Sequence, residues 1–178
     1  VAVNPIVIQA IAAEVRKQAG GKLKRVYAAR NFAPLWAASG NIGPEAGVLM
    51  GYLNSADLDG LRPSSYKVGD LQKAIGEARS GDPKKIARAA VQLSRAPSRY
   101  AVDLRKSPGR NAGGMVYADP ALRPKKPREE AALRAGSLAN SFPTYIGNMA
   151  WMNPHYLRMR TLMWQARAQG KPADFIDA

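Results

Sequence analysis

The 178-residue chain contains no cysteine and a single histidine, His155. Without cysteine it cannot form disulfides, present a thiolate nucleophile or build a cysteine-based zinc site. One histidine leaves a Ser-His triad with at most one candidate base and excludes metal motifs that need two histidines. Because His155 follows a proline in the first turn of a predicted helix and no partner is implied, we interpret it as structural or exposed. We therefore predict no catalytic residue, no metal site and no cofactor in this chain.

Long apolar runs are also missing, since no stretch approaches the roughly 20 residues of a membrane-spanning helix. We therefore predict no transmembrane segment. The chain carries no initiator methionine and no signal sequence, so we expect a mature or trimmed form.

Acidic residues are few: Asp and Glu number 13 against 27 Lys and Arg, which gives a net charge of +14. This balance favours anionic partners such as nucleic acid, lipid headgroups or an anionic wall polymer, without choosing among them. A generally basic surface with no specific ligand is the alternative. The hydrophobic fraction of 46% is ordinary for a globular domain.

Helix starts recur along the chain, where Asn4, Gly43, Asp82 and Asn153 each precede a proline. Such pairs combine a capping residue with the residue that best tolerates the first helical position. With the helical spacing of apolar residues between them, they predict a mainly α fold. We expect a single multi-helix domain of about seven to nine helices.

Glycine and proline residues set the expected ends of these helices. The helix that starts at Pro44 is closed by Gly60, and the helix that starts at Pro83 is expected to kink or restart at Pro97. We place the helical domain at residues 1–170 and a flexible tail at residues 171–178. Four methionines at helical spacing are predicted core residues: Met149, Met152, Met159 and Met163.

The stretch from Tyr27 to Trp36 concentrates large apolar residues next to chain breakers. We interpret Trp36 and Phe32 as core anchors, because aromatic side chains bury the largest area per residue. A surface binding platform is the alternative. The stretch resembles the opening motif of the helical scaffold domain of YkuD-type murein L,D-transpeptidases, which are periplasmic enzymes that cross-link peptidoglycan. The residues that carry this resemblance are Tyr27, Arg30, Phe32, Pro34, Leu35 and Trp36.

Further pieces resemble the same scaffold domain, in the same order along the chain. The second is a compact turn of the form Gly-Leu-x-Pro-x-x-Tyr, and the third opens a helix with Pro-x-Tyr. Arg99-Tyr100 matches the end of a long family helix, whereas Pro97 departs from it. The structural residues that these pieces imply are Gly60, Leu61, Pro63, Tyr66, Tyr100, Pro154 and Tyr156.

Residues 105–128 predict a long basic loop rich in proline and glycine. Its functional interpretation is an anion- or partner-binding loop, and the alternative is a solvated linker. The candidate binding residues are Arg105, Lys106, Arg110, Arg123, Lys125, Lys126 and Arg128.

The resemblance implies a non-catalytic scaffold domain in peptidoglycan remodelling, located in the periplasm. It would support or dock an L,D-transpeptidase catalytic domain or the wall, so the implied partner is peptidoglycan or a cell-wall enzyme domain. The family's catalytic motif contains a cysteine, and its absence here implies either a fragment of a larger enzyme or a stand-alone scaffold. A basic nucleic-acid- or polyanion-binding helical module, with non-specific binding only, is the alternative function. An autonomous enzyme is the third, and the oligomeric state stays open.

Overall fold

The computed structural model describes residues 4–104, 119, 131, 134 and 153–170. Over these residues the secondary structure is helical, without a β-strand, which confirms the mainly α prediction. The elements in chain order are α1 (Pro5–Gln18), α2 (Gly21–Ala28), α3 (Glu45–Asn54), a first 3₁₀ helix (Ala56–Asp59), a second 3₁₀ helix (Pro63–Tyr66), α4 (Val68–Ala78), α5 (Pro83–Leu104) and α6 (Pro154–Ala168).

Three helices begin at the capping residues that the sequence predicts. The Asn4 side chain accepts a hydrogen bond from the Ile6 amide at 3.0 Å. Asp82 accepts one from the Lys84 amide at 2.9 Å, and Asn153 accepts one from the His155 amide at 2.8 Å. Each side chain satisfies a backbone donor that the first helical turn leaves without an internal partner.

Helix α5 lies at the centre of the packing and contacts α1, α3 and α4. Its buried residues include many alanines, and small side chains let neighbouring helices approach closely. From α1 the side chains of Ile11 and Val15 are fully buried, and from α4 Leu71 and Ala74 join the same core. The core is therefore built around one helix.

Helix α5 runs through Pro97 without interruption, so of the two expected outcomes, a kink or a restart, the restart is wrong. Proline lacks the amide that would bond the carbonyl four residues earlier. Pro97 is itself buried, and Ser98 beside it donates its hydroxyl to the Arg95 carbonyl at 2.8 Å. Ala96, Pro97 and Ser98 are all buried, and this burial favours the continuous helix.

The expected helix from Pro44 to Gly60 is also wrong, because it is divided at Ser55. The Ser55 hydroxyl donates to the Gly51 carbonyl at 2.8 Å and so competes with the next helical bond. The chain then tightens into the first 3₁₀ helix, which ends at Gly60 with φ at +69°. Glycine adopts this left-handed conformation without strain.

Other sequence predictions fall outside the described residues. These are the seven basic candidates between Arg105 and Arg128, the methionines Met149 and Met152, and the tail at 171–178. Within the described part of the chain, no helix combines the length and the apolar character needed to cross a membrane.

Candidate functional site

A buried carboxylate, Asp59, joins α6 to the rest of the fold. Its side chain is fully buried and accepts two hydrogen bonds from Arg160 Nε, at 2.9 Å to Oδ1 and 3.1 Å to Oδ2. The Tyr156 hydroxyl donates to Oδ1 at 2.7 Å, and the Tyr100 hydroxyl donates to Oδ2. We call these four residues, Asp59, Tyr100, Tyr156 and Arg160, the Asp59 clamp. Because a buried charge is tolerated only when it is paired and hydrogen-bonded, the clamp holds together as a unit.

Arg160 also forms hydrogen bonds at the C-terminal end of α3. Its Nη2 donates to the Ser55 carbonyl at 2.8 Å, to the Ser55 hydroxyl at 2.9 Å and to the Tyr52 carbonyl at 3.3 Å. Its guanidinium also lies 4.6 Å from the centre of the Tyr52 ring. The carbonyls at a helix C-terminus lack internal partners and carry partial negative charge, so a cation is stabilised there. Arg160 therefore caps α3 while it pairs with Asp59.

A second layer of contacts surrounds the clamp. The Tyr66 ring meets the Tyr100 ring edge to face at 5.5 Å, and the Tyr66 hydroxyl donates to Asp103 at 3.1 Å. At the far end of α6, Arg167 pairs with Asp57 at 2.5 Å. That second ion pair is exposed and contributes little compared with the buried one.

The clamp tyrosines are held in their neutral, proton-donating form. Burial, together with the hydrogen bond and the charge of Asp59, raises the pKa of Tyr100 and of Tyr156 well above the ordinary value of tyrosine. Burial and the charge of Asp103 raise the pKa of Tyr66 in the same way. Ionised tyrosine beside Asp59 would place two negative charges together, which explains the direction of the shifts.

The clamp unites three of the pieces that the sequence analysis singled out. Gly60 ends the 3₁₀ helix that carries Asp59, and Tyr66, Tyr100 and Tyr156 all lie in the clamp or against it. Leu61 and Pro63 are half-buried in the connecting turn, and Pro154 opens α6 as predicted.

The opening motif occupies a different part of the core, around Ser94 of α5. Trp36 Nε1 donates to Ser94 Oγ at 3.1 Å, and the Tyr27 hydroxyl lies 2.7 Å from the same oxygen. Ser94 donates its own hydrogen to the Ala90 carbonyl at 2.8 Å. One serine hydroxyl thus uses its donor and both acceptor positions.

Burial in this network raises the pKa of Tyr27 to about 12. Trp36 is only 3% exposed, which confirms it as a core anchor rather than a surface platform. Phe32 is half-buried and packs against the core, with the Arg16 guanidinium 5.6 Å from its ring centre. Of the other motif residues, Pro34 and Leu35 are buried and Arg30 is half-buried.

Helix α6 buries one of its arginines and exposes part of its apolar surface. Arg160 is its buried residue, whereas Met159 is 56% and Leu162 is 54% exposed. The prediction that Met159 is a core residue is therefore wrong. Met159, Leu162, Met163 and Ala166 follow the i, i+3, i+4, i+7 spacing of one helical stripe, and the last two are half-buried. We call these four residues the α6 patch.

Sequence reasoning missed Asp59, Arg160 and Ser55, which make the central contacts. Tyr156 and Arg160 are four residues apart and so share one helical face, which was an available signal. The position of Asp59 directly before Gly60 was a second one. Within the described residues, no three histidine, aspartate or glutamate side chains lie together as metal ligands would.

Residues 21–163 match the model of a family described as Scaffold domain. The matched range contains the opening motif and every residue of the Asp59 clamp. Comparison with curated proteins and with solved structures gives no match.

Proposed function

The chain belongs to the Scaffold domain family, and from that premise we propose that it is a non-catalytic scaffold in peptidoglycan remodelling. In this proposal it works in the periplasm and docks the catalytic domain of a YkuD-type L,D-transpeptidase. The resemblance of its motifs to the scaffold domain of those enzymes supports the choice of partner.

The observation that carries the proposal is the orientation of α6. A helix that served only the core would bury its apolar stripe, because burial of apolar area is the main driving force of packing. Here Asp59 fixes α6 through Arg160, and the α6 patch stays half-exposed or exposed. Contiguous exposed apolar side chains are typical of protein–protein contact sites. Through the clamp, the patch is held in one orientation for a partner.

The test measures binding of the purified chain to a purified YkuD-type catalytic domain at physiological salt. We expect Met159→Glu and Leu162→Glu to weaken binding at least about tenfold, because charge placed in an apolar contact is not compensated. Ile6→Glu is the matched control, since Ile6 is 74% exposed on α1 and lies outside the α6 patch.

Two results would contradict the proposal. One is the absence of binding to the catalytic domain at physiological salt. The other is binding that the patch variants and the Ile6→Glu control reduce equally, since the contact would then not involve α6.

A polyanion-binding module is the second candidate function, and the net charge of +14 favours it. Such binding would be electrostatic and would weaken steeply with salt, whereas contact through an apolar patch would not. The two functions are therefore separated by the salt dependence of binding.

A further inference from the structure

Three cationic residues line a cleft of about 390 Å³ between the start of α4 and the middle of α5. Arg95 and Arg99 line it from α5, where their spacing of four places them on one helical face. Lys67 lines the side formed by the start of α4, and all three residues are exposed. The cleft is separate from the α6 patch and shares no residue with the Asp59 clamp.

These cations are poorly neutralised within the described part of the chain. Lys67 and Arg95 form no ion pair with any other residue that the structure describes. The side chain of Arg99 is 57% exposed, and its contact with Asp103 is long, at 3.7 Å. A cleft lined by cations raises the local concentration of anions, and arginine and lysine both bind phosphate groups through charge-assisted hydrogen bonds. The cleft therefore favours an anionic group such as a phosphate.

The positive surface continues from the cleft onto α2. Arg95 Nη2 lies 4.0 Å from the position that a Cβ on Gly20 would occupy, so the residue that precedes α2 lies beside Arg95. Lys22 and Lys24 follow in the first turn of α2, and both are exposed. Over residues 4–44, six side chains are lysine or arginine and one is acidic. Further cations thus border a cleft that itself holds one anionic group.

The cleft also contains a carboxylate, Asp70, which is exposed and lies on the same side as Lys67. Asp70 makes no ion pair with any other described residue. A carboxylate beside a bound phosphate repels it unless the ligand also supplies hydrogen-bond donors, because like charges disfavour each other. Hydroxyl groups next to the phosphate would donate to Asp70 and convert this repulsion into a contact. The ligand that fits is therefore a phosphate with neighbouring hydroxyls.

We propose that this surface binds a membrane that contains an anionic phospholipid with a hydroxylated headgroup, as in phosphatidylglycerol. Lys67, Arg95 and Arg99 contact the phosphate of one headgroup in the cleft, and Asp70 accepts from its glycerol hydroxyls. The lysines of α2 contact neighbouring headgroups, which a membrane presents side by side. The α6 patch takes no part in this contact, so it stays available to a protein partner.

The first experiment measures co-sedimentation of the full chain with vesicles at physiological salt. The vesicles consist of phosphatidylcholine alone, or contain an equal fraction of phosphatidylglycerol or of phosphatidylethanol, which has the same charge but no headgroup hydroxyl. We expect phosphatidylglycerol vesicles to bind about tenfold more tightly than phosphatidylethanol vesicles, the effect of one hydrogen bond to a charged group. Equal affinity for these two lipids, or equal affinity for phosphatidylcholine alone, would overturn the proposal.

The second experiment uses matched charge variants with the phosphatidylglycerol vesicles. Lys67→Gln and Arg95→Gln are each expected to weaken binding about fivefold, the effect of one basic residue at an anionic membrane. Arg79→Gln is the control, because Arg79 is an exposed arginine of α4 that lines the groove between α3 and α4 instead. It should leave affinity unchanged. Equal weakening by all three variants, or no weakening by the two cleft variants, would overturn the cleft as the site.

Asp70→Ala separates headgroup recognition from simple attraction between charges. Loss of a negative charge strengthens binding to any anionic membrane, whereas loss of the acceptor weakens binding to phosphatidylglycerol alone. We therefore expect the variant to lose the preference for phosphatidylglycerol over phosphatidylethanol. A preference that persists unchanged would exclude Asp70 from the site and overturn the headgroup assignment.

RNA is the other polymer that presents closely spaced phosphates together with hydroxyls. The last arm therefore titrates a single-stranded RNA oligonucleotide into the chain at the same salt concentration. We expect Arg95→Gln to leave its affinity for RNA unchanged while it weakens vesicle binding. Binding of RNA that is tighter than binding of vesicles and that Arg95→Gln weakens would assign the cleft to nucleic acid and overturn the membrane assignment.

Discussion

Replacement of Arg160 by methionine tests the Asp59 clamp most directly. The variant removes both hydrogen bonds to Asp59 and the three hydrogen bonds to Tyr52 and Ser55 at the C-terminal end of α3. It keeps most of the side-chain length. Among the described residues, Asp59 would then keep hydrogen bonds from the hydroxyls of Tyr100 and Tyr156 alone. Removal of one partner of a buried ion pair costs about 3–5 kcal/mol, and we expect a loss in that range.

The loss of stability should be concentrated in α6, because that helix contacts the described part of the fold mainly at the first 3₁₀ helix. Elements with few tertiary contacts open locally before the whole domain unfolds. We therefore expect faster tryptic cleavage at the exposed Arg158 and Arg167, alongside a lower midpoint in urea unfolding. Tyr156→Phe removes a single bond to Asp59 and should cost only about 1 kcal/mol.

A double-mutant cycle tests whether the Asp59–Arg160 ion pair causes this loss of stability. With Asp59→Asn present, Arg160→Met should cost about 1–3 kcal/mol less than it does in the wild type, because the buried charge is already gone. Strictly additive losses, or an Arg160→Met loss below about 1 kcal/mol, the range of ordinary surface changes, would refute the reasoning.

Three further predictions follow from other parts of the molecule. Trp36→Ala should cost about 3–5 kcal/mol in urea unfolding, since it empties a buried aromatic site and leaves Ser94 with one donor fewer; a loss below about 1 kcal/mol would contradict burial. Unfolded tyrosine ionises near pH 10, whereas the pKa of Tyr27 in the fold is raised to about 12. Its contribution to stability is therefore complete below pH 10 and falls above it by about 1.4 kcal/mol per pH unit. When the free energy of unfolding is measured in urea across that pH range, Tyr27→Phe should make it fall less steeply with pH. An unchanged dependence on pH would show that Tyr27 is not the group responsible. Binding to DNA should fall about 10³–10⁵-fold between about 50 and 200 mM salt if six to ten phosphates are contacted. Replacement of the four basic residues of 123–128 by glutamine should abolish that binding without loss of helical circular dichroism, and tight sequence-selective binding at physiological salt would overturn the scaffold function.

The helix starts were predictable because each depends on a few neighbouring residues. Asn4 and Asp82 cap amides two residues ahead, so the chain within one turn contains the whole signal. The break at Ser55 was less predictable, because a serine hydroxyl competes with the helix only in some contexts. Continuation through Pro97 depends on packing around a proline, which a single sequence does not display.

The clamp was harder to predict than the helices that form it. Arginine on an apolar helix is expected to face solvent, since charged residues are rarely buried without a partner. The partner, Asp59, is 101 residues away along the chain, and no local pattern connects it to Arg160. The tyrosines were identified through the family motif, while the charges that organise them were not.

The central position of α5 has a consequence for how the protein is made. The side chain of Gln18 bonds the Lys84 carbonyl, and Tyr27 bonds Ser94, so the N-terminal helices complete their contacts only with residues more than 60 positions later. On the ribosome, residues 4–82 are synthesised before the helix that covers Ile11 and Val15 exists. A nascent chain arrested at that length would present uncovered apolar side chains, which are the surfaces that chaperones bind.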